Sequence, residues 1–241
     1  MTTPLFYLPE LPGSTLHLDG PEGRHAAVVR RIRVGERVDV GDGAGQVAEC
    51  VVVSVAAAAV RLDVVRRRVE AAPQPRLVVV QALAKGSRAE DAVEAMTEVG
   101  VDEILPWAAL RSVVRWDGPR GEKALAGWRA TAREAGKQSR RAWLPEVSAL
   151  ASTREVCARL HAASLGVVLH ESAMTPLAKL TVPSGEVVVV VGPEGGITDE
   201  EVAAFANVGA SAYRLGASVL RTSTAGVAAA AVLLAASGRW S

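Results

Sequence analysis

The hydrophobic pattern of the chain changes character at about residue 76. Beyond that point, short continuous apolar runs of the buried-strand type alternate with longer segments whose apolar residues recur at helical spacing. The predicted strands cover residues 77–81, 103–107, 166–169, 187–191 and 212–215. The predicted helices cover residues 87–99, 122–137, 153–162 and 222–236, and one more begins at Thr198, three residues before Glu201, in a capping-box pattern. This alternation predicts an α/β fold with a mainly parallel sheet covered by helices.

The first seventy residues are patterned differently, as short β-rich runs separated by glycine turns. Strands are predicted at residues 5–8, 15–18, 36–40, 45–55 and 60–69, a spacing typical of a small barrel or sandwich. A helix beginning near Pro21 interrupts them. Its apolar side consists of Ala26, Val28, Val29 and Ile32. Two prolines within residues 71–75 favour a hinge, so we expect two domains, at residues 1–72 and 76–241.

Charge is unevenly distributed, although the whole chain is nearly neutral. The formal net charge is +1, with 49% hydrophobic and 22% charged residues, which is ordinary for a globular protein. Between residues 111 and 141, however, nine basic residues stand against three acidic ones. Phosphate backbones attract such an arginine-rich excess, and a solvated helical face has the same composition. The charge run alone leaves both interpretations open.

Cysteine usage and the apolar runs exclude several other classes of protein. Cys50 and Cys157 lie far apart and fit no metal or disulfide spacing, so no metal is expected. No N-terminal stretch joins a basic region to an apolar one. The longest small-apolar run, at residues 225–236, is shorter than the ~20 residues that span a bilayer. We therefore expect a cytoplasmic protein without a membrane segment.

Two glycine-punctuated loops near the end of the sequence carry the most information. They lie at residues 191–198 and 213–222, and each follows a predicted strand and precedes a predicted helix. Such loops bind small molecules in open α/β sheets, because glycine lets a ligand approach the main chain closely. The sequence Gly-Pro-Glu-Gly-Gly at residues 192–196 matches neither the Walker loop nor the dinucleotide fingerprint. We therefore expect one pocket shared by the two loops, without the usual phosphate-binding signature.

Further motifs, taken in order, are specific to one family. The chain carries Lys85-Gly86-x-Arg88, Thr97-Glu98-Val99-Gly100-Val101, Gln138-Ser139 with Arg141 and Pro145, the glycine loop with Thr198 and Glu201, and Leu215-Gly216 with Leu220-Arg221-Thr222. Together these motifs resemble the RsmE family of ribosomal RNA uridine-N3 methyltransferases, within the SPOUT superfamily. The β-rich first domain is similar in type and size to the PUA-like RNA-binding domain of that family.

The resemblance implies a SPOUT domain, with helices on both faces of the sheet and a deep trefoil knot, preceded by a PUA-like β-barrel. It implies S-adenosylmethionine as the cofactor and an obligate homodimer whose interface includes the helix from Thr222. The implied reaction methylates N3 of a specific uridine in 16S ribosomal RNA, so the partner is this RNA or the 30S subunit. The expected cofactor-binding residues are Leu169, His170, Gly192, Glu194, Gly195, Gly196, Leu215, Gly216, Ser218 and Leu220.

The reaction needs further groups, because uracil N3 is a poor nucleophile while it is protonated. The enzyme must remove this proton or stabilise the negative charge that develops on O2 and O4. We expect Arg221 and Arg88 to stabilise that charge, since arginine stays protonated. Glu194 is expected to accept a proton or to hold the amino group of the cofactor. The expected RNA-binding residues are Arg30, Arg31, Arg33, Arg111, Arg115, Arg129, Arg133, Gln138, Arg140 and Arg141.

The chain departs from the family pattern at four positions. Ser218, Ser223, Lys137 and Ala95 stand where the family usually has Arg, Glu, Glu and Lys. We therefore assign ligand contacts at Ser218 to the main chain only. Two alternatives stay open: another SPOUT methyltransferase acting on transfer RNA or on a ribose hydroxyl, and a non-catalytic RNA-binding module for ribosome assembly. The missing charges at Ser218 and Ser223 favour the second.

Overall fold

The computed structural model describes residues 3–240 and divides them into two compact units. The first unit comprises the residues up to Ala72 together with Gly136–Leu144. The second comprises Pro73–Ala135 together with the residues from Pro145 onward. Residues 136–144, which the sequence analysis assigned to the second domain, therefore pack with the first unit.

The first unit is built on a five-stranded sheet in the order β1-β3-β4-β5-β2. Its strands are β1 (Leu5–Tyr7), β2 (Thr15–Leu18), β3 (Arg37–Gly41), β4 (Gln46–Val55) and β5 (Val60–Val69). β1 pairs with β3 in parallel, and the other pairs are antiparallel. All five predicted strands are confirmed. Within residues 3–240, the end strands β1 and β2 form no ladder with each other, so the expected barrel is an open sheet in its hydrogen bonding.

The predicted helix of this unit is only partly correct. Helix α1 (Gly20–Arg24) continues into a π-helical turn at His25–Val29. Ala26 is buried as expected, whereas Val28 and Val29 are 50% and 65% exposed. A π turn closes its hydrogen bonds over five residues instead of four, so the residues that follow lose the phase of an ordinary helix. Ile32, which lies beyond this turn, is buried at 5% exposure, so the predicted apolar side is confirmed at Ala26 and Ile32 and wrong at Val28 and Val29.

Residues 136–144 complete the first unit through main-chain and apolar contacts. The amide of Gly45 donates to the carbonyl of Ala142 at 3.0 Å, and the amide of Leu144 donates to Gly43 at 2.9 Å. Ala142 also shares a small apolar core with Tyr7. The unit is therefore discontinuous in sequence.

Lys137, one of the departures from the family pattern, has a structural explanation in this unit. Its Nζ atom lies 3.4 Å from a carboxylate oxygen of Glu22. The two side chains are only 8% and 13% exposed. A buried charge is unfavourable without a partner of opposite sign, and Glu22 supplies one for the cation that stands at this position.

The second unit is an α/β layer structure around a six-stranded parallel sheet in the order β11-β9-β10-β6-β7-β8. Its strands are β6 (Arg76–Ala82), β7 (Glu103–Trp107), β8 (Glu146–Val147), β9 (Leu165–Leu169), β10 (Glu186–Val191) and β11 (Ser211–Tyr213). Its helices are α2 (Arg88–Val99), α3 (Gly118–Gln138), α4 (Thr153–Ala162), α5 (Asp199–Asn207) and α6 (Thr222–Ala236), with a 3-10 turn at Leu177–Lys179. The final residues of α3 belong to the first unit. The mainly parallel sheet is confirmed, while β8 and the 3-10 turn were not predicted.

Alternate residues of the central strands serve two separate apolar cores. Val79 shares one core with Met96 of α2 and Leu233 of α6. Val80 shares the other with Leu160 of α4 and Phe205 of α5. Successive strand residues point to opposite faces of a sheet, which is why β6 is apolar without interruption from 77 to 80. Helices cover both faces of this sheet, as expected.

The amino ends of the strands carry a network of ion pairs. Glu103, at the start of β7, is only 3% exposed. Its Oε2 atom accepts from Arg76 at 2.7 Å and from Arg159 at 2.6 Å, and Arg159 also donates to Glu186 at 2.7 Å. Each carboxylate at this edge of the sheet is thus paired with an arginine, while the buried Nε atoms of Arg76 and Arg159 have no hydrogen-bond partner among the described residues.

Burial disfavours ionisation of the two cysteines. Burial raises the pKa of the Cys50 thiol to about 11 and also raises the pKa of Cys157, so both thiols stay protonated at neutral pH. Between residues 3 and 240, no cluster of three or more His, Cys, Asp or Glu residues could hold a metal ion. No helix in that range is long and apolar enough to cross a membrane.

Candidate functional site

A cavity of about 610 Å³ opens at the carboxyl ends of β9, β10 and β11, within the second unit. Three loops line it: residues 169–171 after β9, residues 191–197 after β10, and residues 213–222 between β11 and α6. This is the edge of an open parallel sheet at which ligands bind. The expected pocket shared by two glycine loops is therefore present in the structure.

The sequence-predicted cofactor and catalytic residues come together here. The cavity is lined by Leu169, His170, Gly192, Glu194, Gly195, Gly196, Leu215, Gly216, Ser218, Leu220, Arg221 and Arg88. Other lining residues were not predicted to bind the cofactor or to act in catalysis, among them Glu171, Asp199, Tyr213, Arg214 and Thr222. Glu171 and Tyr213 could have been predicted from the sequence in the same way as His170, because each lies at or near the end of a predicted strand.

Residues 192–197, called here the Gly192 loop, form a tight turn that only glycine permits at two places. A Cβ atom at Gly192 would stand 2.7 Å from Cγ1 of Ile197. Gly196 has a φ of 75° and donates its amide to the carbonyl of Pro193 at 2.9 Å. The loop then enters α5 through the predicted capping box, since Thr198 Oγ1 accepts from the amide of Glu201 at 3.1 Å. This capping box is confirmed, and it fixes the far end of the loop.

Residues 214–221, called here the Gly216 loop, are held at both ends and exposed between them. The amide of Arg214 donates to the carbonyl of Thr175 at 3.0 Å, directly after β11. At the other end, the Thr222 hydroxyl donates to the carbonyl of Gly192 at 2.8 Å. A Cβ atom at Gly216 would meet no described atom within 4 Å. The second loop is thus tied to the first while its middle stays open beside the cavity.

Glu194 connects the Gly192 loop with the segment that precedes α2. Its Oε1 atom accepts from the amide of Lys85 at 3.2 Å and lies 3.5 Å from a guanidinium nitrogen of Arg88. The side chains of Arg88 and Glu194 are 45% and 32% exposed. Both contacts fall on the same oxygen, and within residues 3–240 Oε2 forms no hydrogen bond or ion pair, so it can accept from a ligand.

Arg221 lies immediately before α6, on the cavity wall, and its side chain is exposed. Its carbonyl accepts from the amides of Thr224 and Ala225, both at 2.9 Å. Among the described residues, its guanidinium forms no ion pair with a carboxylate. The charge is therefore available to a bound ligand.

Arg111 has a different position from the other residues predicted to bind RNA. It lines the cavity, and its Nη1 atom donates to the carbonyl of Gly195 at 3.2 Å. A Cβ atom at Gly195 would lie only 3.1 Å from Cβ of Arg111. The structure thus places Arg111 as a support of the Gly192 loop, which a basic run in the sequence could not reveal.

The remaining predicted RNA-binding residues are distributed over both units. The exposed ones are Arg30, Arg31, Arg33, Arg115, Arg129, Gln138 and Arg140, whereas Arg133 and Arg141 are half-buried and have partners within the protein. Nε of the Arg129 guanidinium donates to the carbonyl of Val147 at 3.0 Å. Arg31 and Arg140, both in the first unit, have φ values of 54° and 55°. Residues with side chains adopt this left-handed region rarely.

His170 contributes to the cavity wall through its position after β9. Its amide donates to the carbonyl of Tyr213 at 3.0 Å, which extends the pairing of β9 and β11. Its Nδ1 atom lies 2.8 Å from the Ser172 hydroxyl. The ring is thus held by a neighbouring side chain, and the main chain faces the loops.

Comparison with known families agrees with this arrangement. An RNA methyltransferase domain family matches residues 70–234, and an RNA methyltransferase PUA domain family matches residues 18–63. A parallel sheet with a ligand cavity at its carboxyl edge, preceded by a PUA domain, defines a two-domain RNA methyltransferase.

Individual relatives narrow the class further. A ribosomal RNA small subunit methyltransferase E from Mycobacterium bovis is 44% identical, with 100% of this chain and 94% of the relative covered. The protein of the same name from Bacillus subtilis is 29% identical over 88% of this chain and 86% of the relative. The chain belongs to the ribosomal RNA small subunit methyltransferase E family, RsmE.

Solved structures resemble the whole chain. A ribosomal RNA small subunit methyltransferase E from Neisseria gonorrhoeae, bound to S-adenosyl methionine, superposes with a TM-score of 0.89 at 28% identity, covering 97% of this chain and 98% of that one. A methyltransferase from Legionella pneumophila, in complex with SAM, gives 0.88 at 28% identity, with 98% of both chains covered.

The two loop glycines predict a contrast in stability. Gly192→Ala would press a methyl group against Ile197 and should lower the free energy of unfolding by about 1–3 kcal/mol. Gly216→Ala is the matched control: its methyl group enters open space, so the expected change is within about 0.5 kcal/mol. Urea unfolding of both variants measures the difference. Equal destabilisation of the two variants would contradict this description of the Gly192 loop.

Proposed function

We propose that this chain transfers a methyl group from S-adenosylmethionine to N3 of one uridine in 16S ribosomal RNA. The chain is an S-adenosylmethionine-dependent RNA methyltransferase of the RsmE family. The observation that carries the proposal is the cavity between the Gly192 loop and the Gly216 loop, with the exposed guanidinium of Arg221 at its wall. Ribosomal RNA as the substrate places the activity in the cytoplasm.

The residues of the cavity fit this cofactor. The cavity volume of about 610 Å³ lies within the roughly 300–1,000 Å³ of ordinary ligand pockets. The glycines of the two loops leave the main chain accessible to an adenosyl group, and the open space at Gly216 admits it. When bound, the cofactor supplies an electrophilic methyl carbon on a sulfonium. We assign its binding to the main chain of Leu169, His170, Gly192, Gly195, Gly196, Leu215, Gly216, Ser218 and Leu220.

The side chains at the cavity act on the base. We assign Oε2 of Glu194 as the acceptor of the proton on uracil N3. The electron pair left on N3 would then attack the methyl carbon, and the bond between this carbon and sulfur would break with its electron pair staying on sulfur as a neutral thioether. Arg221 donates hydrogen bonds to the uracil oxygen on which negative charge develops. Arg88 remains paired with Glu194 and keeps that carboxylate oriented. Because N3 lies on the Watson–Crick edge, the target base must be unpaired or flipped out of its stack.

A methylation map of 16S ribosomal RNA tests this function. The protein should add one methyl group at N3 of one uridine when it is incubated with unmodified 30S subunits and S-adenosylmethionine, as detected by mass spectrometry. Arg221→Gln should lower kcat by about 10²–10³, as for the removal of one oxyanion donor, with the cofactor Kd nearly unchanged. Arg154→Gln, an exposed arginine on α4, serves as the control. Methylation of a ribose or of transfer RNA would refute the proposed substrate, and cofactor binding without transfer would indicate a non-catalytic module.

We further propose that the exposed arginines hold the phosphates around the target. Arg30, Arg31, Arg33 and Arg140 are all exposed in the first unit. The left-handed backbone of Arg31 and Arg140 supports this role, because such strain tends to persist at functional positions. Arg115 and Arg129 are exposed in the second unit, whereas Arg133 and Arg141 contribute from half-buried positions. Phosphate contacts of this kind position the RNA without reading its sequence.

Neutralising two of these arginines should weaken binding in a salt-dependent way. In the double variant Arg30→Gln and Arg140→Gln, the RNA-binding constant should depend less steeply on salt. The magnitude of the slope of log K against the logarithm of the salt concentration should decrease by about one for each phosphate that the protein no longer neutralises. The affinity for S-adenosylmethionine should be retained. Fluorescence titrations of a 16S RNA fragment at several salt concentrations measure the slope, with Arg154→Gln as the control. An unchanged affinity and slope would reject the assignment.

We also propose that the second unit contains the trefoil knot implied by the family. After β11, at the edge of the sheet, the chain passes Thr175 and Gly192 and returns to the middle, where α6 packs against β6 and β10. A return of this kind, hydrogen-bonded to segments that precede it in sequence, supports threading. In a single-molecule stretching experiment, the knotted chain would stop short of its full contour length.

The proposed homodimer involves α6. Its small residues permit close approach of a second helix, and Ala225, Ala228 and Ala231 are only half-buried in the single chain. Sedimentation equilibrium should therefore give twice the chain mass of 25.1 kDa. Ala228→Arg should shift the equilibrium toward the monomer, because it places an unpaired charge in the interface. A wild-type protein that sediments as a monomer at micromolar concentration would exclude an obligate dimer.

A further inference from the structure

Gln81 is a polar residue in an otherwise apolar strand. It follows Leu77 to Val80 near the end of β6, and it is fully buried. Its Nε2 atom donates to the Thr222 hydroxyl at 3.0 Å and to the carbonyl of Ala82 at 3.2 Å. Within the described part of the chain, its Oε1 atom has no hydrogen-bond partner. An unpaired acceptor in a buried position is unfavourable for folding.

Thr222 extends this contact to the cofactor loop. The side chain is only 6% exposed, and its hydroxyl donates to the Gly192 carbonyl at 2.8 Å. A hydroxyl group has one proton, so it accepts from Gln81 while it donates to Gly192. The direction of both hydrogen bonds is thereby fixed, and the chain of contacts runs from β6 through the first residue of α6 to the Gly192 loop.

The surroundings of Gln81 suit an apolar side chain of the same length. A Cβ atom at Gly226 would lie 2.8 Å from Sδ of Met96, 3.4 Å from Oε1 of Gln81 and 3.5 Å from Cγ1 of Val79. Helix α6 therefore passes closely over β6 at Gly226, beside the unpaired oxygen of Gln81 and the side chains of Met96 and Val79. A methionine at position 81 would fill similar space without burying an unsatisfied acceptor. Folding alone does not account for a glutamine here.

We propose that Gln81 is a positioning residue for cofactor binding, which rests on the function proposed above. Through the Thr222 hydroxyl, its amide holds the Gly192 carbonyl and the start of α6, the helix that Arg221 precedes. The two loops thus keep one spacing before the cofactor arrives, which reduces the ordering that binding requires. Gln81 does not touch the cofactor itself and acts only through Thr222.

Three variants separate this role from a structural one. Gln81→Met removes the donor, Thr222→Val removes the hydroxyl at nearly constant shape, and Thr222→Ser keeps the hydroxyl. Thr97→Val is the matched control, because Thr97 is another fully buried threonine, whose hydroxyl donates to Val93 within α2, away from the cavity. Isothermal titration calorimetry gives the Kd for S-adenosylmethionine, and urea unfolding gives the midpoint for each protein.

We expect opposite effects on stability and binding in Gln81→Met. Its unfolding midpoint should equal or exceed that of the unmodified protein, whereas its Kd should rise about tenfold, the effect of one net hydrogen bond. Thr222→Val should raise Kd by at least as much as Gln81→Met does. Thr222→Ser keeps the hydroxyl, so its Kd should lie within about twofold of the value for the unmodified protein. Thr97→Val should lower the midpoint without changing Kd.

The alternative outcomes are distinct. A lower midpoint with an unchanged Kd in Gln81→Met would make Gln81 a structural residue and overturn the proposal. Equal Kd values for Thr222→Ser and Thr222→Val would show that the hydroxyl is not the contact that matters. If the unmodified protein binds no S-adenosylmethionine, the proposed function fails, and the role of Gln81 fails with it.

Discussion

The hydrogen bond from the Thr222 hydroxyl to the Gly192 carbonyl is the contact on which the site depends. It joins residues thirty positions apart, at 2.8 Å. The Gly192 loop leaves the middle of the sheet with β10, whereas the Gly216 loop leaves its edge with β11. Arg111 and, through Glu194, the segment before α2 also hold the Gly192 loop, and Thr175 holds the start of the Gly216 loop. The shared bond turns two separate strand ends into the two walls of one cavity.

The two edges of the parallel sheet in the second unit have different roles. Ion pairs lie at the amino ends of the strands, and the ligand cavity lies at their carboxyl ends. At the amino ends of the strands, Glu103 pairs with Arg76 and Arg159 in an ion network. At the carboxyl ends, main-chain groups and the Arg221 guanidinium face a cavity and keep unused hydrogen-bonding capacity. Parallel strands make this division possible, because all of their carboxyl ends lie on one side.

The elements that depend on local sequence could be predicted well. Helix α6 begins and ends as predicted, and the capping box at Thr198 is present, because apolar periodicity and caps are local signals. The sequence motifs and strand ends identified about half of the residues that line the cavity. Arg111 and Thr222 were not recognised as supports of the Gly192 loop, since their roles depend on contacts with residues 84 and 30 positions away along the chain. Val28 and Val29 were wrongly expected to be buried, because a π turn leaves no simple signature in the pattern.

The discontinuity of the first unit has a consequence for the order of events during synthesis. Its sheet lies within residues 5–69, yet Ala142 and Leu144 pair with Gly45 and Gly43 and cover part of its apolar surface. A ribosome that has released only the amino-terminal third of the chain therefore exposes a sheet without this cover. Consolidation of the amino-terminal unit must wait until Pro73–Ala135 of the second unit and then residues 136–144 have been synthesised. Folding of the first unit is thus coupled to synthesis of the second. In an amino-terminal fragment that ends at the hinge, the surface that residues 136–144 cover would stay exposed to solvent.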